Sequence, residues 1–339
     1  MAVGFYSLGG FSTVIENLAD QLGKMGIEAT IGALAFKRIP PKASYNISTL
    51  PVHNASKLKR FLSSFDIVHN HHPITNYLAL LSQCPFVYHY HGAPDLGRGN
   101  LFRFSMLSSI KITNHRFDAV ITVSEYGAAE LKRYFNINKV YVVYNGVDTK
   151  RFKPGLAERF RKGSPQFLFV GNLHEHKKVE ELIIAFRELV KEYPKAHLQI
   201  VGSGHMHERV KHLVLEFGLG DNVELVGYVS DSELPSYYAS CDVYATASRW
   251  ELFGLPLQEA MACGKPVVAS SIPSHVELLA KSKAGTTYAK GDINDLCEKM
   301  AKTSEETDKY KINAIRFSKE HDWTVVAERI LKIYDQMLD

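Results

Sequence analysis

Short apolar runs alternate with longer amphipathic segments along most of the chain. Residues 119–123 and 166–170 are apolar at nearly every position, a pattern typical of strands that are covered on both faces in a parallel sheet. The segments between such runs carry apolar residues at helical spacing, as Val14, Leu18 and Leu22 do. This alternation predicts an α/β protein with doubly wound parallel sheets.

The alternation stops once, at residues 150–165, where charged residues, glycine and proline replace the apolar pattern. Since 339 residues suit two domains, we interpret 151–164 as a linker. Strands are predicted in the first half at 2–6, 27–34, 66–69, 86–89, 119–123 and 140–143, and in the second at 166–170, 197–201, 223–226, 243–246 and 266–269. We therefore expect an N-terminal domain over 1–150 and a C-terminal domain over 165–320. One interpretation of the final helical segment, 321–339, is that it packs back on the first domain.

The composition places the chain among globular proteins. Hydrophobic residues make up 45% and charged residues 22%, and no apolar run reaches the roughly 18 residues that span a bilayer. The first residues lack a basic stretch followed by an apolar one, so we expect no signal peptide. Four scattered cysteines without C-x-x-C spacing fit buried thiols in a reducing compartment. These features predict a cytoplasmic protein.

Charge is distributed unevenly between the two halves. Residues 1–150 carry 15 Lys+Arg against 9 Asp+Glu, and the remainder carries 25 against 27. A basic first half suits an anionic membrane surface or a phosphorylated lipid acceptor, and an uneven solvated surface explains the counts equally well. The segment 97–116, which is apolar with four basic residues, fits either a membrane-facing amphipathic helix or a core helix with a basic edge. The inner face of a membrane is therefore a candidate location.

The most informative motif lies at residues 249–268. Glu251 and Glu259 bracket a turn at Phe253 and Gly254, and Pro256 marks a helix start. Free backbone amides at a helix start bind anions such as a diphosphate. One glutamate can accept hydrogen bonds from sugar hydroxyls, and the other can bind a ribose diol. The motif therefore favours a nucleotide-sugar site.

This stretch resembles the E-x-F-G-x-x-x-x-E-A-M-A-x-G-x-P-V-V signature of the retaining glycosyltransferases of family four. Further similarities, in family order, are Gly9-Gly10, the D-x-x-H-x-H strand at 66–71, the N-G-V-D segment at 145–148 with Phe152 and Pro154, and the turn Gly227-Tyr228-Val229. Each is weak alone, but together they are specific. The resemblance implies a GT-B fold, in which two Rossmann-like domains face a central cleft.

The resemblance also implies roles for individual residues. Glu251 and His91 would be catalytic, with Glu251 contacting the hydroxyls of the donor sugar and His91 facing that sugar. The implied donor-binding residues are Gly9, Gly10, Asn172, Lys177, Lys178, Tyr228, Val229, Phe253, Gly254, Leu255 and Glu259. Within this set Glu259 would bind the ribose, and the turn at Tyr228 and Val229 would hold the base.

One departure from the family pattern affects the diphosphate site. The family shows G-R-L-x-x-x-K-G, whereas this chain has Asn172 at the arginine position and Lys178 at the second glycine. A missing guanidinium removes a bidentate pair with phosphate. Lys177 matches the family lysine, and Lys178 can restore the charge, as can a protonated His174 or His176. We expect a competent phosphate site.

No metal and no other cofactor is expected, because basic groups and helix starts serve the diphosphate in this family. His69 and His71 lie two residues apart on a predicted strand and so share one face, which allows a metal pair, but lining or packing at the strand end is the favoured interpretation. A phosphorylase would need a pyridoxal phosphate lysine pattern, which we do not find.

The sequence thus predicts a retaining glycosyltransferase that transfers a hexosyl unit from a nucleotide-diphosphate sugar to a lipid-linked or glycan acceptor. One alternative is another GT-B enzyme such as a nucleotide-sugar epimerase. Another is a non-catalytic nucleotide-sugar-binding protein, which Asn172 favours and the intact pair of Glu251 and Glu259 disfavours. No nucleic-acid partner is expected, and the base, the sugar and the acceptor stay open.

Overall fold

The structure is a computed structural model that describes residues 2–6, 10–36, 44–92 and 100–338. Contacts within the chain define two compact units. The first combines Met1–Gly146 with Trp323–Asp339, and the second is Val147–Asp322. Each unit contains its own parallel sheet with helices.

The first unit has a seven-stranded parallel sheet in the order β3-β2-β1-β4-β5-β6-β7. Its strands are β1 (Ala2–Tyr6), β2 (Thr30–Phe36), β3 (Asn46–Thr49), β4 (Val68–Asn70), β5 (Phe86–Tyr90), β6 (Ala119–Thr122) and β7 (Tyr141–Val142). Its α-helices are α1 (Gly10–Lys24), α2 (Ala55–Leu62), α3 (Asn100–Thr113) and α4 (Glu125–Phe135), with 3-10 helices at Pro73–Leu80 and Asn114–Arg116. The strand order reverses between β1 and β4.

Side-chain caps explain where two of these helices begin. The Asn54 side chain accepts a hydrogen bond from the Lys57 amide at the start of α2, and Ser124 accepts one from the Gly127 amide at the start of α4. Helix α4 ends at Phe135, and the next residue, Asn136, caps it with a φ of 57°, a left-handed conformation that asparagine tolerates.

The last helix, α12 (Trp323–Leu338), belongs to the first unit. It packs against α1, where the Thr324 hydroxyl donates to the Gln21 side-chain oxygen at 3.3 Å. The Trp323 ring fills the space beside Gly146, because a Cβ on that glycine would lie 2.5 Å from the ring. Glycine at 146 therefore permits the close approach of α12.

The second unit has a six-stranded parallel sheet in the order β10-β9-β8-β11-β12-β13. Its strands are β8 (Gln166–Val170), β9 (His197–Val201), β10 (Val223–Gly227), β11 (Val243–Thr246), β12 (Val267–Ser270) and β13 (Gly285–Tyr288). Its helices are α5 (Val179–Glu192), α6 (His207–Glu216), α7 (Leu234–Ser240), α8 (Leu255–Ala262), α9 (Pro273–Ser282), α10 (Ile293–Glu305) and α11 (Thr307–Glu320), with a 3-10 turn at Glu175–Lys177. This is the doubly wound dinucleotide-binding order, whose switch point lies between β8 and β11.

The segment interpreted as a linker, 151–164, lies inside the second unit, and the boundary between the units falls at Gly146 and Val147. Phe152 is buried, with its ring 5.6 Å from that of Tyr238 in an edge-to-face arrangement. The segment has no regular secondary structure but contributes to the core of this unit.

Candidate functional site

Two glycine-containing turns lie against each other at the carboxyl ends of β8 and β9. A Cβ on Gly202, whose φ is 131°, would lie 2.0 Å from the Gly171 carbonyl oxygen, and one on Gly204 would lie 2.4 Å from that of Leu173. The Leu173 amide donates to the Ser203 carbonyl at 2.9 Å. Only glycine allows this close approach of the two backbones. The contact and the hydrogen bond together hold the turn that begins at Gly171 against the turn that begins at Gly202.

The loop after β8 carries the predicted phosphate-binding residues. Asn172 is exposed, and Lys177 ends the 3-10 turn. Lys178 has a left-handed φ of 49° and directly precedes α5. The Arg249 amide donates to the His176 carbonyl at 2.7 Å, which joins this loop to the one after β11. Lys177 and Lys178 are thus placed at the sheet's switch point, where such folds bind ligands.

Lys177 and Glu251 form an ion pair, with the ammonium against Oε1 of the carboxylate. Their side chains are only 16% and 19% exposed. The Ser248 hydroxyl donates to the same carboxylate oxygen at 3.2 Å. Burial raises the pKa of Glu251, but attraction to Lys177 and then to His275 outweighs it, and the pKa falls below its usual value. Glu251 is therefore ionised at neutral pH.

The turn after Glu251 leads directly into α8. Gly254 has a φ of 92°, and the Ser274 hydroxyl donates to the Glu251 carbonyl at 2.8 Å. The buried ring of His275 lies next to Gly254, with Nε2 at 3.6 Å from the position that a Cβ would take. Burial lowers the pKa of His275 to about 4, so the ring is neutral. Helix α8 begins at Leu255, and Phe253 in the preceding turn is buried. The contacts of Ser274 and His275 thus hold the turn that leads into the helix.

Glu259 lies on α8, where the Tyr238 hydroxyl donates to its Oε2 at 2.6 Å. Burial raises the pKa of Glu259, and the bond from Tyr238 and the nearby Arg151 partly offset that rise. The Arg151 guanidinium also donates to the Asp231 carbonyl and stacks 4.7 Å from the Phe152 ring. Sequence reasoning missed Arg151, because it lies in the segment interpreted as a linker.

The predicted base-binding turn follows β10. Gly227 has a φ of 78°, and its carbonyl accepts a hydrogen bond from the Gly202 amide at 2.7 Å. Tyr228 is 66% exposed and Val229 is half-buried. This turn therefore lies beside the Gly202 turn at the carboxyl end of the sheet, and its aromatic ring is accessible.

The remaining predicted residues belong to the first unit. Gly10 is the first residue of α1, and Gly9 lies outside the described residues. His91 directly follows β5, and its Nε2 is 3.0 Å from Nδ1 of His71. Burial, with a smaller contribution from His72, lowers the pKa of His91 to about 3. His91 is therefore neutral at physiological pH.

The segment 97–116 is described in part, with residues 97–99 outside the described range. Helix α3 presents Phe104 and Ile112 to solvent, at 69% and 51% exposure. Across the described ranges no helix combines the length and apolar character that crossing a bilayer requires. All four cysteines are free thiols.

Known proteins resemble both units. The family profile described as Glycosyltransferase Family 4 matches residues 8–151, and the profile described as Glycosyl transferases group 1 matches residues 156–320. The chain is 26% identical to an uncharacterized glycosyltransferase of Methanocaldococcus jannaschii, covering 98% of this chain and 96% of that one. It is also 26% identical to the D-inositol 3-phosphate glycosyltransferase 2 of Catenulispora acidiphila, over 98% and 91% of the two chains.

The fold also matches that of a solved structure. The crystal structure of Anabaena HepE in complex with UDP and glucose superposes with a TM-score of 0.81 at 19% identity, covering 99% of this chain and 100% of the other. This likeness confirms the predicted GT-B architecture of two α/β domains with parallel sheets. With two family profiles that together cover nearly the whole sequence, the chain belongs to the GT-B glycosyltransferases of family 4.

Proposed function

We propose that this glycosyltransferase transfers a hexosyl unit, with retention of anomeric configuration, from a nucleotide-diphosphate sugar to a lipid-linked or glycan acceptor. The observation that carries the proposal is the ion pair of Lys177 and Glu251. It lies at the switch point of the second sheet, directly before the turn into α8. An ammonium and an ionised carboxylate in contact provide one group for the leaving diphosphate and one for sugar hydroxyls.

Lys177 is suited to the departing diphosphate. An ammonium has three hydrogen-bond donors, so Lys177 can bind phosphate oxygens while it stays in contact with Glu251. Lys178 and the backbone amides of Phe253, Gly254 and Leu255 add positive potential. These groups replace the guanidinium that Asn172 lacks, and we expect the diphosphate to need no metal ion.

In the proposed reaction the acceptor hydroxyl attacks the anomeric carbon on the face that the diphosphate leaves. The bond from the anomeric carbon to the phosphate oxygen breaks, the new glycosidic bond forms, and the acceptor's proton passes to the departing diphosphate. Catalysis then depends on orientation and on stabilisation of the developing phosphate charge. Glu251 would accept hydrogen bonds from donor hydroxyls, Glu259 would bind the ribose, and neutral His91 would hydrogen-bond a donor hydroxyl.

Named relatives guide the choice of substrates. The HepE complex contains UDP and glucose, which supports uridine as the first base to test. The inositol 3-phosphate glycosyltransferase and the basic first half of this chain favour an acceptor that carries phosphate. Exposed Phe104 and Ile112 on α3 are consistent with peripheral contact at the cytoplasmic face of a membrane.

The test measures nucleoside-diphosphate release from UDP-, GDP- and ADP-sugars, with and without phosphorylated acceptors. Glu251→Gln should lower kcat by about 100-fold or more, because transition-state contacts of this kind have that magnitude. Glu298→Gln, the same change at an exposed site on α10 in the same unit, should leave kcat unchanged. Circular dichroism verifies that both variants fold. Unchanged turnover in a folded Glu251→Gln would remove Glu251 from the mechanism.

The two alternatives give different results in the same assay. An epimerase would change the sugar of the donor without an acceptor. A non-catalytic protein would bind one nucleotide sugar and release no nucleoside diphosphate with any acceptor.

A further inference from the structure

Four histidines form a cluster in the first unit, in which three are buried and His91 is half-buried. His69 and His71 lie on or directly after β4, and His89 and His91 lie on or directly after the neighbouring strand β5. Neighbouring ring centroids are 4.2 Å apart for His69 and His71, 5.0 Å for His71 and His89, and 4.3 Å for His89 and His91. His69, His71 and His89 are each at most 2% exposed. Alternation on adjacent parallel strands brings the four rings to one face.

Within the described ranges, His69 and His71 each have a hydrogen-bond partner at one ring nitrogen only. Nδ1 of His69 lies 2.5 Å from the hydroxyl of Tyr334 on α12, and Nδ1 of His71 lies 3.0 Å from Nε2 of His91. Among the described residues, Nε2 of His69, Nε2 of His71 and both ring nitrogens of His89 are buried without a partner. A buried polar atom left unpaired costs about 1–3 kcal/mol, so a cluster of them requires an explanation.

The arrangement matches histidines that bind a metal with one ring nitrogen and form a hydrogen bond with the other. A histidine that binds a metal through one nitrogen usually donates the other N–H to a second group, which fixes the tautomer and the ring orientation. Tyr334 and His91 occupy that position for His69 and His71. One ring nitrogen from each of His69, His71 and His89 lies within 4.8 Å of one from each of the other two.

We propose that His69, His71 and His89 bind one divalent transition-metal ion in the first unit. Imidazole ligands suit Zn²⁺, Cu²⁺ and Ni²⁺, and Zn²⁺ is the first ion to test because three histidines with one open position are a known zinc ligand set. The site is made only of first-unit residues, and none of its three ligands is among the predicted donor-binding residues.

Binding requires the rings to turn. Zn–N distances of 2.0–2.1 Å in a tetrahedral site place ligand nitrogens about 3.3 Å apart, closer than the limit of 4.8 Å seen here. Rotation about χ2 of histidine is soft, so small ring rotations can bring the nitrogens toward the ion. Burial lowers the pKa of each of these three imidazoles well below its usual value. The rings are therefore neutral, and each has a lone pair for the ion.

The bound ion would join β4 and β5, and through Tyr334 it would also tie α12 to the sheet. It would polarise the Nδ1–H of His71 that faces His91. We therefore expect Zn²⁺ to raise the melting temperature of the first unit, because a ligand that binds only the folded state stabilises it.

The experiment uses the full chain without a histidine tag, freed of metal with a chelator and dialysed. Zn²⁺ is titrated in competition with a chromophoric chelator. The wild type should bind one ion per chain, and His89→Gln should bind it at least tenfold more weakly. His115→Gln, at an exposed histidine of the same unit, should bind like the wild type.

Three results would overturn the proposal. One is a wild type that takes up no more Zn²⁺ than a folded His89→Gln, and another is loss of uptake in His115→Gln. If His89→Gln does not fold by circular dichroism, the optical spectrum of Co²⁺ added to the wild type decides. Intense tetrahedral d–d bands support the three-histidine site, and the weak bands of octahedral, water-ligated Co²⁺ contradict it.

Discussion

Replacing Lys177 by glutamine should destabilise the second unit by leaving Glu251 without its cation. Breaking a fully buried ion pair costs about 3–5 kcal/mol, whereas an exposed pair contributes about 0–1 kcal/mol. Because the two side chains are 16% and 19% exposed, we expect a loss of about 2 kcal/mol at pH 7. That is about a 30-fold change in the equilibrium constant of unfolding.

The loss should depend on pH in a defined direction. In the wild type the pKa of Glu251 is below its usual value, so its stabilising contribution is present above the unfolded pKa of about 4.3 and disappears as the pH falls through the folded value. In Lys177→Gln, burial raises the pKa of Glu251 instead. The unpaired buried charge then lowers stability only at pH values at which the carboxylate is ionised. The difference between the two proteins should therefore shrink below about pH 4.

Urea unfolding followed by tryptophan fluorescence measures this difference. The chain has two tryptophans, and a Trp323→Phe background leaves Trp250, next to Glu251, to report on the second unit. Lys178→Gln is the matched control, and the double variant Lys177→Gln/Glu251→Gln should recover part of the stability. A Lys177→Gln protein within 0.5 kcal/mol of the wild type at pH 7, or a difference that persists at acid pH, would refute the reasoning.

Two further changes test the surroundings of the pair. Tyr238→Phe removes the 2.6 Å bond to Glu259 and should lower the free energy of unfolding by about 1–2 kcal/mol. Burial raises the pKa of Glu259 and the bond from Tyr238 lowers it, so the bond favours the ionised carboxylate. Thermal unfolding should therefore show a larger loss at pH 8 than at pH 4, and equal losses would contradict this. Gly254→Ala forces a side chain into a φ of 92° and places its Cβ 3.1 Å from Leu257, so it should cost about 1–2 kcal/mol; an unchanged melting temperature would show that the turn relaxes.

The sequence predicted interior strands better than edge strands. The runs at 166–170, 197–201 and 243–246 coincide with β8, β9 and β11, because strands buried on both faces are apolar at consecutive positions. Edge strands β3 and β13 were not predicted, since they are largely exposed or half-buried and lack such runs. The strand predicted from residue 27 begins at Thr30, because α1 ends at Lys24, a turn with Gly26 at a φ of 86° follows, and Ile27 is 43% exposed.

The sequence predicted candidate site residues one by one but did not predict which of them are paired. Lys177 and Glu251 were each chosen from local motifs, yet they are separated by 74 residues, and only the sheet order brings them together. The sequence indicated that His69 and His71 share a face, and the structure confirms this. It did not indicate that His89 joins them, because strand register across two chain segments decides that contact.

The central claim is transfer from a nucleotide sugar, and NMR of the wild type incubated with its preferred donor and an acceptor mixture tests it most directly. The account predicts that free nucleoside diphosphate appears together with a glycoside whose anomeric configuration is that of the donor. A product of inverted configuration, a donor epimerised without release of nucleoside diphosphate, or a donor that stays unchanged with every acceptor would contradict it.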